Sequence, residues 1–215
     1  MTDPAQFIVH VSIWALPILL AVILHEVMHG VVAQRLGDDT ARRAGRLTLN
    51  PLPHIDPVGT VILPVFLLFM NLPVFGYARP VPVDFSALRN GRTGMIMVAA
   101  AGPLTNLALA VASAIAMHAL APYAAGEWGR MIALPLIYML RASVVINLVL
   151  AVFNLFPLLP LDGGRVIAGL LPLGAARTYA RLEPYGFLIL IFLLYTGTVG
   201  AFIGPIVNAI AGVLL

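Results

Sequence analysis

His25 and His29 flank Glu26 in the run His25-Glu26-Val27-Met28-His29, inside an apolar stretch that extends from Phe7 to about Leu36. A carboxylate and two imidazoles in the middle of a segment that reads as a transmembrane helix are costly, so they persist where function or a partner repays them. On a helix, residues four apart lie about 40° apart around the axis and about 6 Å along it, so both imidazoles reach one metal ion. Glu26 then stands beside that ion, where it can take a proton from a water molecule. The spacing predicts a zinc hydrolase whose metal site lies within a bilayer.

The sequence has no cysteine, so thiolate sites and disulfides are excluded and any metal must be held by His and carboxylate. A catalytic zinc site commonly takes three protein ligands, and HEVMH supplies two. Of the nine acidic residues, Asp162 alone ends a strongly apolar helix among turn formers, in Asn154-Leu-Phe-Pro-Leu-Leu-Pro-Leu-Asp-Gly-Gly164. Pro157 and Pro160 break the helix there, and Gly163-Gly164 let the chain turn. Asp162 is therefore the candidate third ligand. The competing reading is a helix-end carboxylate capped by backbone N–H groups or paired with Arg165.

The elements that must position these residues are hydrophobic. The chain has 215 residues, 61% hydrophobic and 10% charged, which sets it apart from soluble domains. We expect an all-α polytopic membrane protein, a single membrane-embedded domain over residues 1–215 with five or six hydrophobic segments. They are Phe7 to Leu36, Val58 to Phe75, Met95 to Leu120, Met131 to about Leu161, and Tyr185 to Leu215. The first carries HEVMH and so reads as a permanent span rather than a cleaved leader. The last is either one tilted helix with a tail or a hairpin of two short helices. The net charge of +3 does not point to nucleic acid, because all twelve basic residues are Arg and lie mostly in loops beside apolar spans.

Ten of the twelve arginines fall in three loops, after the first span, before the third and after the fourth, and the positive-inside tendency places all three loops in the cytoplasm. Val58 to Phe75, interrupted by Pro64 and Pro73, must then dip into the membrane and return on the same side. Such backbone is tolerated at membrane depth only where protein or water covers it. The first and fourth spans are then parallel, which brings HEVMH and Asp162 toward the same, cytoplasmic, face. Arg141 lies inside the fourth segment, where it either snorkels or marks a helix that begins at about Ser143. The stretches 45–50 and 76–83 alternate apolar with polar or Pro and read as short β-like edges near the active site. Such an edge can receive an unwound substrate segment by strand addition.

HEVMH, Ala101-Gly-Pro-Leu-Thr-Asn106 and the Asn154 to Gly164 motif together resemble the site-2 protease family of intramembrane zinc metalloproteases. The likeness is strongest to its short prokaryotic branch, without PDZ or CBS domains, which also shows stretches like Asn50 to Pro57 and Gly76 to Val83. The resemblance implies that His25, His29 and Asp162 bind Zn2+ and that Glu26 activates water. It also points to Asn154 as a donor to the oxyanion formed in catalysis, against the alternative of an Asn bonding a neighbouring helix. The implied substrates are transmembrane or membrane-anchored proteins, and the implied location is a multi-pass protein of the prokaryotic cell membrane; no oligomeric state is implied. The competing function is a metal-binding membrane carrier using the same ligands, against which Glu26 speaks, since a carrier needs no base at that spacing. Elsewhere, His54 is read as a non-ligand, Asn106 and Asn147 as interhelical hydrogen bonders, and Asp38 and Asp39 as a solvated turn.

Overall fold

The computed structural model describes residues 4–70 and 76–215. Helix α1 spans Pro4–Arg35, followed by one turn of helix, α2, at Thr40–Arg43. A 3-10 turn at Leu52–His54 leads to a π-helical turn at Pro57–Ile62 that runs into α3, Leu63–Phe69. Asp56 starts this element by accepting the Val58 and Gly59 amides at 2.9 and 2.7 Å, the side-chain cap an otherwise unsatisfied helix start needs. The long α4, Gly91–Leu120, is linked through a 3-10 turn and the short α5, Gly126–Trp128, to a π-helical turn and then to α6, Leu134–Asn154. Four further helices close the chain: α7, Asp162–Leu170; α8, Leu173–Ala180; α9, Glu183–Tyr195; and α10, Thr198–Leu214.

Among the described residues, three helical stretches are long and apolar enough to cross a membrane, Ile8–Arg35, Gly91–Ala124 and Gly126–Asn154. The α9–α10 pair adds a fourth if counted as one span, although Gly197, at φ 75°, bends it by 73°. The last hydrophobic segment is thus two helices. Arg141 sits within α6 with its side chain exposed, so the helix does not wait for Ser143.

The packing order follows from the hydrogen bonds. Asn106 of α4 bonds the Ala21 carbonyl of α1, while His29, two turns further along α1, bonds Val98, two turns earlier in α4. α1 and α4 are therefore antiparallel. Asn106 also meets Asn147 of α6 while Ser113 meets Ser143, so α4 and α6 are antiparallel as well. α1 and α6 consequently run parallel, as the arginine distribution requires. A core of Ala110, Ala114, Val144, Leu148, Leu190 and Val199 joins α4 and α6 to α9 and α10.

No strand forms among the described residues, which corrects the β-like reading of 45–50 and 76–83. Residues 47–49 bend, and 76–83 are irregular backbone whose amides reach other partners: Tyr77 N–H donates to the Gly59 carbonyl at 3.1 Å and Arg79 N–H to the His54 carbonyl at 2.8 Å. Prolines at 80 and 82 deny this stretch the alternating donors a sheet ladder needs. Of the segment read as Val58 to Phe75, residues 71–75 lie outside the described residues. Its two flanks meet, with the Thr60 hydroxyl donating to the Tyr77 carbonyl at 3.1 Å. The fourth apolar segment also ends earlier than its composition suggests. α6 stops at Asn154, and the stretch with Pro157 and Pro160 is a connector, because neither proline can donate to a helical ladder.

Candidate metal centre

HEVMH lies in the last third of α1, where α4 crosses it. His25 and His29 stack one turn apart with their ring planes at 84°, and their Nε2 atoms lie 3.1 Å apart. Asp162 reaches them from the first residue of α7. Its Oδ2 lies 3.2 Å from His25 Nε2 and 3.3 Å from His29 Nε2. The connector after α6 makes this possible by folding back on itself. A Cβ on Gly163 would strike the Leu155 carbonyl, and one on Gly164 the Leu159 amide, so both positions allow backbone contact no other residue permits.

These three groups fit a metal ion. His29 Nδ1 faces the Val98 carbonyl at 2.7 Å, an atom that only accepts, so Nδ1 carries the proton and Nε2 presents a lone pair. Asp162 Oδ2 is buried and has no hydrogen-bond partner. Lone pairs converging on one point repel unless a cation joins them. Tetrahedral zinc, with bonds of about 2.0–2.1 Å, holds its ligand atoms about 3.3 Å apart, close to the 3.1–3.3 Å separations found here. Among the described residues, one group of three such side chains has this property, and it is His25, His29 and Asp162. The alternative pairing of Asp162 with Arg165 does not occur. Arg165 Nη2 lies 3.4 Å from Glu183 Oε1, and its guanidinium lies over the Phe85 ring at 5.1 Å.

Beside His25, His29 and Asp162 lies a cavity of about 310 Å³, whose walls include Glu26, Asn154, Val81, Phe85 and Arg165. Glu26 Oε2 accepts the Val81 N–H at 2.8 Å, so the irregular 76–83 stretch orients the carboxylate. Asn154, the last residue of α6, faces the same cavity while one amide N–H donates to its own helix at the Leu150 carbonyl, 3.0 Å away. Among the described residues it bonds no neighbouring helix.

The structure adds residues that spacing alone did not single out. Gly102 is one: a Cβ there would lie 2.5 Å from His29 Nε2 and 2.6 Å from His25 Nε2, so only glycine lets α4 approach both imidazoles. Asn106 is another. Besides linking helices, its Oδ1 lies 2.6 Å from His25 Nδ1. The proximity of Ala101-Gly-Pro-Leu-Thr-Asn106 to the metal group has no signal in the periodicity of α4, which is apolar on every side.

Other polar residues stand apart. His54 is 3% exposed and donates Nε2–H to the Thr48 carbonyl at 3.0 Å, and it is not among the residues grouped with His25, His29 and Asp162. Asp38 is 1% exposed rather than a solvated turn. It accepts the Thr40 amide at 2.9 Å and the Asp84 amide at 2.8 Å. Burial alone would raise its pKa, but these hydrogen bonds outweigh it and hold the carboxyl below its ordinary value.

Residues 13–197 match the sequence model described as Peptidase family M50. The "Putative zinc metalloprotease YwhC" of Bacillus subtilis is 36% identical over 200 residues, covering 89% of this chain and 84% of its own. The "Putative zinc metalloprotease Rip2" of Mycolicibacterium smegmatis is 30% identical over 88% of this chain and 68% of its own, and that of Mycobacterium tuberculosis 31% identical over 88% and 66%. No solved structure matches the chain.

Proposed function

This chain belongs to peptidase family M50, the site-2 proteases, and from that premise we propose that it is an intramembrane zinc endopeptidase. Its substrates in this reading are transmembrane or membrane-anchored proteins, cut near the cytoplasmic side of the bilayer. The observation that carries the proposal is the meeting of His25 Nε2, His29 Nε2 and Asp162 Oδ2 within 3.3 Å, beside Glu26, on helices apolar enough to span. His25, His29 and Asp162 would hold the ion, which when bound supplies Lewis acidity and makes water a better nucleophile near neutral pH.

The remaining chemistry belongs to the chain. Glu26, held by Val81 N–H, takes the proton as water attacks the scissile carbonyl and delivers it to the departing amine nitrogen. The second amide N–H of Asn154 is available to the developing oxyanion, since the other donates to Leu150. The substrate must be locally unwound, because a helix hides its carbonyls in its own ladder.

Topology supports a multi-pass protein of the cell membrane with its active site toward the cytoplasm. The parallel course of α1 and α6 supports it, and so does the meeting of Thr60 with Tyr77, which brings both flanks of the Pro-broken segment to one place. A re-entrant segment between them keeps the flanking arginine loops on one side. The carrier reading finds no second group of three ligands along a path among the described residues.

The test is Glu26→Gln. Zinc content stays at the wild-type level, and cleavage of a membrane-anchored model substrate falls by about 100-fold or more, the size of a general-base contribution. Wild-type cleavage by this variant removes Glu26 as the base, and equal cleavage of a soluble and a membrane-anchored substrate removes the intramembrane assignment.

A further inference from the structure

A chain of buried polar side chains leads from the metal group across α4 into α6, in a region otherwise built from apolar contacts. It begins at His25 Nδ1, 2.6 Å from Asn106 Oδ1. Asn106 is fully buried and Asn147 nearly so, at 1% exposed. Asn106 Nδ2 donates to the Ala21 carbonyl at 3.1 Å and to Asn147 Oδ1 at 2.8 Å. Asn147 Nδ2 in turn donates to the Ser143 carbonyl at 2.8 Å and lies 3.2 Å from the Ser143 hydroxyl.

The directions of these bonds are fixed by their far end. The Ser143 carbonyl accepts and cannot donate, so Asn147 must turn its NH2 toward it and its Oδ1 toward Asn106. Both N–H groups of Asn106 are then engaged, one by Asn147 Oδ1 and the other by the Ala21 carbonyl. Only Oδ1 remains to face His25. An acceptor at 2.6 Å requires His25 Nδ1 to carry the proton, which leaves the lone pair on Nε2 where Asp162 and His29 converge. His29 gets the same tautomer from a backbone carbonyl, which cannot rotate. His25 depends on a side-chain amide, which keeps its direction through two acceptors, the Ala21 carbonyl and Asn147 Oδ1.

We infer that Asn147 is a positioning residue: together with the Ala21 carbonyl it holds the Asn106 amide with Oδ1 toward His25, and so helps set the tautomer and orientation of that imidazole. Asn147 touches neither metal ligand nor substrate in this arrangement. The inference rests on the His25, His29 and Asp162 group being a zinc site, and it extends that site one residue beyond the partner of its ligand. Partners of metal ligands contribute about 10- to 100-fold to metal affinity, and an effect passed through one further amide falls at the lower end of that range.

The experiment measures zinc affinity of the detergent-solubilised full chain by chelator competition, and the absorption bands of the Co2+-loaded form, for Asn147→Leu, Asn147→Asp and Ser113→Ala. Asn147→Leu removes the acceptor at nearly constant volume, and zinc affinity falls about 10-fold with altered Co2+ bands. Asn147→Asp, neutral at so buried a position, keeps an oxygen for Asn106 Nδ2 and offers its O–H to the Ser143 carbonyl, and affinity returns to within about twofold of wild type, well inside the effect of losing a partner. Ser113→Ala breaks only the 2.8 Å contact with Ser143 beyond the relay and leaves both readouts unchanged. Thermal unfolding of the metal-free proteins runs alongside, because a packing defect lowers it whether or not the ligand is disturbed. Unchanged affinity and bands in Asn147→Leu overturn the inference, as does a loss in Asn147→Asp equal to that in Asn147→Leu. Absence of zinc from the wild type instead defeats the metal-centre reading on which the inference stands.

Discussion

Two groups of buried and half-buried polar side chains meet the 79–84 stretch, one at Val81 and the other at Arg79, Pro80 and Asp84, and they have similar composition. One contains His25, His29, Asp162 and Glu26; the other contains His54, Asp38 and Arg46. In the second, each charged or ring group turns to backbone: His54 Nε2 to Thr48, Asp38 to the Thr40 and Asp84 amides, and Arg46 Nη2 to the Arg79 carbonyl at 2.5 Å. In the first, the backbone and amide contacts fall on the Nδ1 atoms, and the Nε2 and Oδ2 atoms face one another. The same residue types make a clamp in one place and a group placed to hold a metal ion in the other. What separates them is whether the polar atoms turn to the backbone, as Asp38, Arg46 and His54 Nε2 do, or converge on one another, as His25, His29 and Asp162 do.

Replacing a converging atom should show the largest effect. Asp162→Ala removes one of three ligands from a buried site, and zinc affinity is expected to fall by more than the about 10- to 100-fold typical of outer partners, with cleavage lost in parallel. Metal analysis of the purified variant checks this. Full zinc occupancy would place Asp162 with the clamping residues and dissolve the contrast.

Gly102→Ala sharpens the same contrast without touching a ligand. The added methyl would sit 2.5 Å from His29 Nε2 and 2.6 Å from His25 Nε2, so α4 must withdraw or the rings must turn. Overpacking of this kind costs about 1–3 kcal/mol, equivalent to about 5- to 150-fold in affinity where it falls on the ligands. Chelator competition reads the change, and an unaltered zinc affinity would mean that the helices separate freely at this crossing.

The pairing of His25 with His29 was legible in the sequence because helical spacing and the cost of charge in an apolar run both point to it. Asp162 was legible for a different reason: it is an acidic residue set among helix breakers, and few acidic residues compete. Gly102 and Asn106 were less so. Both lie on a helix apolar all round, where periodicity does not say which face meets α1. The arginine pattern gave the parallel course of α1 and α6, since charge in loops reports sidedness directly. The strand reading of 76–83 failed because alternation records which residues face which way, not whether the amides find a ladder. Here they bond Gly59, His54 and Glu26 instead. Asp38 was misread for a related reason, because a Gly-Asp-Asp sequence is the same whether the turn meets water or the Asp84 amide.

In the clamp, Asp38→Ala is expected to destabilise the fold by about 1.5–3 kcal/mol, the worth of a hydrogen bond to a charged group, with zinc affinity unchanged. The acid limb carries a sign. The folded Asp38 pKa lies below its ordinary value, so the carboxylate stabilises the fold above the unfolded pKa, and that contribution fades as pH falls through the folded one. Asp38→Ala should flatten this part of the stability curve. Unfolding midpoints measured from neutral to acidic pH test it, and parallel curves for the two proteins would mean that the Thr40 and Asp84 contacts contribute nothing to folding.

His54→Ala is expected to have the smallest effect and gives the cleanest division between the two groups. The imidazole donates to the Thr48 carbonyl, while the His54 backbone carbonyl, which alanine retains, accepts the Arg79 amide. The side-chain bond, worth about 1 kcal/mol of stability, is lost together with the packing of a ring that is 3% exposed, with zinc content as in the wild type. Because Arg79 stays anchored, Val81 should still reach Glu26 and cleavage should remain within about twofold, a change of under 1 kcal/mol in the barrier. A fall in zinc content would bring His54 into the metal centre. A large fall in cleavage at full zinc occupancy would instead show that the imidazole itself, and not the backbone beside it, holds the 76–83 stretch against the catalytic carboxylate.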